Sequence, residues 1–186
     1  MKNIFIDCGY NMGNITTQFR NQLGGQYEYY AFEANPDLYE KYKNKHDFIN
    51  LKNKAVWVEN GEIEFYIPTI DRHYNPCPDN GGSTLLKEKA EWNMSVAGYK
   101  EQKKVIVECF DFSEFLKNNF NIDDNIIVKL DVEGAEYKIL NKLIETNTAS
   151  YINQLYVEFH DRKTGMSSND IINKLTNLNV KLHKWH

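Results

Sequence analysis

The sequence predicts an α/β domain of the doubly wound type, with a mostly parallel sheet and helices on its faces. Three observations predict it. Ile4 to Asn14, IFIDCGYNMGN, reads as a short apolar strand that runs into a glycine-containing turn and then a helix start. Apolar strand runs and helical periodicities then alternate along most of the chain. Two successive strands end on an acid, first Asp7 and then Glu33. A chain of 186 residues fits one domain, residues 1–186, with enough length to bury a core without staples.

Each element has a local reason. Ile4, Phe5 and Ile6 make the first strand, of the kind buried inside a parallel sheet. Ile15, Phe19 and Leu23 follow at i, i+4 and i+8, and Gly24-Gly25 ends that helix. Tyr29 to Phe32 forms the second strand. Asn35-Pro36-Asp37 starts a helix with a capping side chain, a proline at the first helical position and an early acid. A third strand is expected in two pieces around Lys52-Asn53-Lys54, and Asn60-Gly61 before the alternating Glu62 to Ile67 reads as a hairpin.

Pro68 to Tyr99 is irregular, with three prolines, Gly81-Gly82 and several aromatics, and reads as a loop plus a short helix: an inserted lid or substrate wall. Lys104 to Phe110 is a further strand, and Asp111 to Leu116 a capped helical turn. Asn125 to Val132 is the most apolar strand, followed by Gly134 and a helix with Ala135, Ile139 and Leu143 inward. Tyr151 to His160 alternates as another strand. Ser167 and Asp170 then form a capping box before Ile171, and Asn179 to Trp185 supplies a last strand.

Composition narrows the partners. A net charge of −4 without a dense Lys/Arg run gives no footprint for general nucleic-acid or membrane binding. Cys8, Cys77 and Cys109 are odd in number and lack a CxxC pair, so neither a disulfide framework nor a zinc site is expected. The N-terminus enters a strand at once and no apolar run reaches bilayer length, so a cytoplasmic protein is expected.

The turn reads Asp7-x-Gly9-x-Asn11-x-Gly13, which is neither GxGxxG nor a phosphate loop. An acid at the end of the first strand would repel a pyrophosphate and favours a ligand with positive charge near the turn. S-adenosylmethionine is such a ligand. Glu33 at the second strand end is placed to accept hydrogen bonds from a ribose diol. Each acid alone also reads as a helix-capping residue; together, at equivalent positions of consecutive units, they point to a cofactor site.

At this point the chain resembles a known family. DCGYNMG, AFEANP (31–36), NKAVW (53–57), GGSTL (81–85) and VKLDVEGAEYKIL (128–140) occur in the order seen in the FkbM family of S-adenosylmethionine-dependent methyltransferases, over about residues 4–160. The resemblance implies a Rossmann-like class I methyltransferase fold with a seven-stranded-type sheet, and methyl transfer to an oxygen of a sugar, glycan or small natural product. It places Gly9, Tyr10, Asn11, Gly13, Ala34, Asn35, Ala55, Val56 and Ser83 beside Asp7, Glu33 and Asp131 at the cofactor. Tyr10 stands where the family usually carries a small residue.

Methyl transfer to a hydroxyl needs the acceptor oxygen aligned with the methyl group and a base for its proton. Strand alternation puts Lys129, Asp131 and Glu133 on one face, and Glu158 and His160 on the common face of the neighbouring strand. His160 or one of these carboxylates is the expected base, with Asp131 positioning the cofactor's aminopropyl part or the acceptor. Lys129 and Glu133 also read as a structural ion pair, and Glu136 as a helix-dipole acid. No metal ligand is assigned, although Asp131, Glu158 and His160 are chemically able to hold a divalent cation. Tyr74, Trp92 and Tyr99 are candidates for stacking on the acceptor. The alternatives are methylation of an RNA ribose hydroxyl, with a Lys, Asp and Glu sharing the base role, and a non-catalytic module that keeps the fold.

Overall fold

The computed structural model describes residues 1–69, 82–95, 99, 101–164, 166–178 and 180–184. The first unit is as the sequence predicts: β1 (Asn3–Cys8), the turn, and α1 (Asn14–Leu23). Gly24 ends α1 at φ 82, a backbone conformation that a Cβ disfavours. The second unit pairs β2 (Glu28–Phe32) with α2 (Pro36–Tyr42), whose Asn35 cap accepts hydrogen bonds from the N–H groups of Asp37 and Leu38. Next come β3 (Ile49–Lys52) and β4 (Ala55–Trp57), then β5 (Gly61–Thr69), α3 (Lys87–Ser95), β6 (Glu101–Asp111) and α4 (Phe112–Asn119). The chain returns through β7 (Asn125–Leu130), α5 (Glu136–Glu145), a 3-10 turn at Thr148–Tyr151, and β8 (Ile152–Val157). It closes with α6 (Asp161–Thr164), α7 (Asn169–Asn177) and β9 (Lys181–Lys184).

The main sheet has the order β3-β2-β1-β7-β8-β9, with every neighbouring pair parallel. This is the Rossmann-like α/β architecture expected, with six strands among the described residues where a seven-stranded type is implied. Strand order reverses between β1 and β7, and there the loops leaving the strands diverge to opposite sides, opening a crevice at their carboxyl ends.

One local expectation is corrected. Gly61 does open a strand, but not a hairpin with the preceding one: β6 lies between β4 and β5, parallel to the first and antiparallel to the second, in a separate sheet of order β4-β6-β5. The long antiparallel register, from Gly61 opposite Cys109 to Thr69 opposite Glu101, supplies nine ladder positions that a partner as short as β4 does not have. The two pieces expected around Lys52-Asn53-Lys54 therefore belong to different sheets. Residues 70–81 of the insertion, with Tyr74, Pro76, Cys77 and Pro78, lie outside the described residues, as does 185; the rest of the insertion contributes α3.

Alternation along the strands sorts the core. Phe5 and Ile127 point to the face covered by α1, where Phe5 stacks on Phe19 at 4.5 Å between ring centroids and Tyr29 joins them. Ile4, Ile6, Cys8, Val128 and Leu130 point to the other face, against Leu116 of α4, Ile139, Leu140 and Leu143 of α5 and Leu175 of α7. Each such side chain, wholly buried, contributes roughly 1.5–3 kcal/mol. The same alternation fixes the polar residues: Asp7 and Lys129 follow Phe5 and Ile127 at two-residue spacing and so face α1. Two more expectations shift by a residue or two. β7 ends at Leu130 and β8 at Val157, so Asp131, Glu133, Glu158 and His160 lie in the loops beyond their strands. Ser168, not Ser167, precedes α7, and its hydroxyl donates to Asp161 at 3.0 Å instead of capping the helix.

Candidate functional site

A cleft opens at the strand-order reversal. Gly9 and Asn11 line it from the β1 turn, Phe32, Glu33 and Ala34 from the end of β2, Ala55 and Val56 from β4, and Asp131, Val132 and Glu133 from the turn after β7. Phe65 of β5, Gly82, Ser83 and Leu85 close it from the other side, with Leu38 and Lys54 at its edges.

The β1 turn is held by close backbone approach. A Cβ on Gly9, whose φ is +95, would stand 1.9 Å from the carbonyl oxygen of Asp131, so no other residue fits without moving the two loops apart. Asn11 also takes a positive φ of 51, and its N–H donates to Glu33 Oε2 at 2.7 Å, while the N–H of Asn35 donates to Oε1 at 2.7 Å. Glu33 thereby ties two loops together and still presents its remaining lone pairs to the cleft. Burial pushes its carboxyl up to about 7, against the opposing effect of those two N–H donors.

Four of the expected cofactor residues support the site from behind. Asp7 is fully buried under α1, accepting from Thr16 Oγ1 at 2.5 Å and lying 3.2 Å from Lys129 Nζ. Tyr10 folds back over Gly13, where an added Cβ would meet its ring at 2.3 Å, and meets His46 edge-on; burial pushes its phenol up to about 12. Asn35 is spent on capping α2. Gly9, Asn11, Glu33, Ala34, Ala55, Val56, Ser83 and Asp131 do line the cleft.

Among the expected catalytic residues, Lys129 is buried, donating to Gly9 O at 2.6 Å and pairing with Asp7 and, at 3.4 Å, with Asp131. Burial would lower the pKa of its ammonium, but the two carboxylates outweigh it and raise it. Its ion-pair partners are thus not Glu133. Glu133 pairs instead with Lys89, a fully buried lysine of α3, and accepts from Gly82 N–H at 3.1 Å. Its backbone has a φ of 55, and its carbonyl accepts from Thr84 Oγ1 at 2.7 Å. Burial works to raise the Glu133 carboxyl, but His160 and Lys89 outweigh burial and hold it well below the usual carboxylate range.

His160 is buried beside this group. Nδ1 stands 3.1 Å from Oε1 of Glu136, whose two oxygens also accept from the N–H groups of Val132 at 2.9 Å and Gly134 at 2.8 Å. Nε2 lies 3.3 Å from Glu133 Oε2 and 3.6 Å from Glu158 Oε1, in ion-pair range, yet off the axis of a hydrogen bond to any described residue. Burial lowers the imidazole's pKa, but Glu133 and Glu136 outweigh it and raise it to about 9. At neutral pH in this arrangement His160 is an imidazolium, with no lone pair to act as a base.

The contacts made by Glu136, Lys89 and Asn93 are absent from the sequence reading. Glu136 is more than a helix-dipole acid: fully buried, it sets the imidazole. Lys89 and Asn93 come from the insertion's helix, Asn93 Nδ2 donating to Gly82 O at 2.8 Å. A signal for both exists, since Lys89, Ala90 and Asn93 share the buried face of α3 by helical spacing, and a buried face carrying Lys and Asn marks a polar site. Of the stacking candidates, Trp92 and Tyr99 are half-buried and not among the cleft-lining residues, though the Tyr99 hydroxyl stands beside Gly82, which is. Thr84, which the GGSTL resemblance puts with Ser83 in contact with cofactor or acceptor, is not among the cleft-lining residues: its backbone pairs with Tyr66 at 2.9 Å in both directions, which pins the 82–85 segment across the cleft.

Residues 7–182 match the family model of the methyltransferase FkbM domain. Among solved structures, the chain is similar in fold to methyltransferase FkbM from Methylobacillus flagellatus KT, with a TM-score of 0.52 at 9% identity over 95% of this chain and 37% of that one. The chain therefore spans well under half the length of that protein. Among curated proteins none matches.

Proposed function

We propose, from the premise that this chain belongs to the methyltransferase FkbM domain family, that it is an S-adenosylmethionine-dependent O-methyltransferase acting on a hydroxyl of a sugar, glycan or small natural product. The observation that carries this reading is the meeting of Gly9, Glu33 and Asp131 in one cleft at the strand-order reversal. The residues fit the cofactor. The missing Cβ at Gly9 leaves backbone room, the Glu33 carboxylate offers paired acceptors to a ribose diol, and Phe32, Leu38, Val56 and Phe65 offer apolar walls to a purine.

When bound, the cofactor supplies an electrophilic methyl group on a sulfonium centre. The chain's own residues do the rest. Lys129 holds the β1 turn through Gly9 O, keeping the cleft floor rigid. Asp131, about a quarter exposed, presents a carboxylate to the cationic aminopropyl end or to the acceptor. Glu133 and His160 are already committed as an anion and a cation. An acidic rim of Asp131, Glu133 and Glu158 suits a neutral polyhydroxyl acceptor and disfavours a phosphate backbone.

Calorimetry with S-adenosylhomocysteine tests the reading: one site per chain is expected, weakened at least tenfold in Glu33→Gln. A screen of glycosides with labelled methyl donor then tests the acceptor. Absence of binding by both methylated and demethylated cofactor would overturn the proposal.

A further inference from the structure

We propose that Asp131, Glu133 and His160 hold a divalent cation of the first-row transition type at the mouth of the cleft. Each contributes one ligand atom, and these atoms lie within 4.8 Å of one another. Opposite ligands of an octahedral site stand ~4.2 Å apart and adjacent ones ~3.0 Å, so His160 Nε2 and Glu133 Oε2, 3.3 Å apart, are already near the spacing of adjacent ligands, and the group as a whole tightens on the ion.

The acids alone would not carry this; the histidine does. The His160 side chain is 2% exposed, and its Nε2 is directed between Glu133 and Glu158 without a hydrogen-bond partner among the described residues. A buried nitrogen left this way is costly unless something else uses it. Its other nitrogen is held by Glu136, which is itself fixed by two backbone N–H groups. A carboxylate that orients a histidine through Nδ1 and leaves Nε2 pointing into a carboxylate cluster is the arrangement that supports a metal-ligating histidine. Glu133 is aimed into the same space from a φ of 55, a conformation that a non-glycine residue keeps only when its surroundings enforce it.

Charge balance points the same way. Lys129 faces Asp7 and Asp131, Lys89 faces Glu133, and His160 carries a charge until a bound ion displaces its Nε2 proton to solvent, so even with the imidazolium counted three cations stand against the five carboxylates of Asp7, Asp131, Glu133, Glu136 and Glu158. The surplus is negative, and a doubly charged ion at Nε2 offsets it. Two carboxylates with one imidazole suit Mn²⁺, Fe²⁺, Co²⁺ or Zn²⁺ better than Ca²⁺ or Mg²⁺, because the nitrogen is a softer ligand. Three protein ligands leave open positions. If the methyl-transfer reading holds, those positions take the acceptor hydroxyl, lowering its pKa and aligning it, so that a weak carboxylate suffices as base. The existence of the site does not depend on that reading.

The test uses Mn²⁺ and needs no turnover. Electron paramagnetic resonance of the whole chain titrated with Mn²⁺ is expected to show one ion per chain, with nitrogen modulation from a bound imidazole in the pulsed spectrum. His160→Gln should abolish that modulation and weaken Mn²⁺ at least tenfold, Glu136→Gln should weaken it about tenfold or more through loss of orientation, and His183→Gln on β9 should leave it unchanged. Binding without nitrogen modulation, equal affinity in His160→Gln, or no binding below millimolar Mn²⁺ overturns the proposal, the last outcome making His160 simply an imidazolium bridging two acids. If His160→Gln does not fold, by circular dichroism, the modulation in the unsubstituted protein decides. S-adenosylhomocysteine calorimetry run with and without Mn²⁺ separates the two ideas: cofactor binding in a chain that takes no Mn²⁺ sinks only the metal site, and the reverse sinks only the methyl-donor reading.

Discussion

Lys129 places its ammonium 3.2 Å from Oδ1 of Asp7, and neither side chain reaches solvent. Asp7 stands one residue before the end of β1 and Lys129 opposite it in the register of β7, so the pair fastens the two strands between which the cleft opens. Removing one partner leaves a buried charge without compensation. Lys129→Met is therefore expected to lower stability by about 3–5 kcal/mol, and the double variant Lys129→Met, Asp7→Asn to recover part of that loss. Urea denaturation of the three proteins checks it; additive losses would mean that the two groups do not act as a pair.

Gly9→Ala tests the contact across the same opening. The added methyl would overlap the Asp131 carbonyl, and φ +95 is strained for alanine in addition. The loops after β1 and β7 must separate. A loss of about 2 kcal/mol or more in stability is expected, together with at least tenfold weaker S-adenosylhomocysteine binding by calorimetry. Gly61→Ala serves as the comparison for backbone strain without overlap, since φ there is +149 and a Cβ meets nothing within 4 Å.

Much of this frame is legible in the chain, and the reason is locality. The Asn35 cap, the Gly24 stop and the acids at the ends of β1 and β2 follow from residues within a few positions of one another. What fails is partner choice over distance. The alternation of β5 says that one face is buried but not that its mate is β6, forty residues on, and Asn60-Gly61 suggested a nearer one. The contacts Lys89–Glu133 and Glu136–His160 join residues 44 and 24 positions apart, through elements whose side-by-side placement only the sheet order decides. Lys129 and Glu133 share a face by counting, yet a turn at Leu130 ends the strand between them and sends each to a different partner.

Glu33 should make cofactor binding depend on pH. Its carboxyl, raised by burial to about 7, is largely protonated at pH 6, and a protonated carboxyl offers fewer acceptor sites to a ribose diol. Affinity for S-adenosylhomocysteine is expected to rise by up to tenfold per pH unit below about 7 and to level off above it, with proton release detectable in buffers of different ionisation enthalpy. The neighbours that modulate this group are Lys129, which lowers its pKa, and Asp7, which raises it. Stability runs the other way. The folded pKa lies above the unfolded value of 4.5, so the unfolded chain binds fewer protons between these limits and stability falls as pH rises from about 4.5 to about 7. Glu33→Gln removes both slopes; a Glu33→Gln protein with the original pH profile would assign the titration elsewhere.

Glu136 satisfies three donors from one buried side chain: the N–H groups of Val132 and Gly134, and His160 Nδ1. Glu136→Ala leaves all three without an acceptor, and a loss of about 2–4 kcal/mol is expected from desolvated donors alone. Glu136→Gln keeps the size and one carbonyl acceptor, so it should fold with a smaller loss while disordering the imidazole. Nitrogen and proton shifts of His160 by NMR distinguish the cases. An unchanged His160 signal in Glu136→Gln would show that the ring is held by its packing instead.

Tyr10 gives the sharpest test of whether the cleft's supporting wall is understood. Its ring is 2% exposed and stacked against Gly13, so the ring itself is part of the turn, but its hydroxyl is buried with no hydrogen-bond partner among the described residues. Ring and hydroxyl should therefore act with opposite sign. Tyr10→Phe removes a desolvated polar group and leaves the packing, and is expected to stabilise the chain by about 1 kcal/mol. Tyr10→Ala removes the ring and opens a cavity behind Gly13, at a cost of about 3–5 kcal/mol by analogy with other large-to-small aromatic replacements. Thermal unfolding of the two variants decides. A Tyr10→Phe protein less stable than the original would mean that the hydroxyl has a partner, and the family's small residue at this position would then be replaced here by a polar contact as well as by bulk.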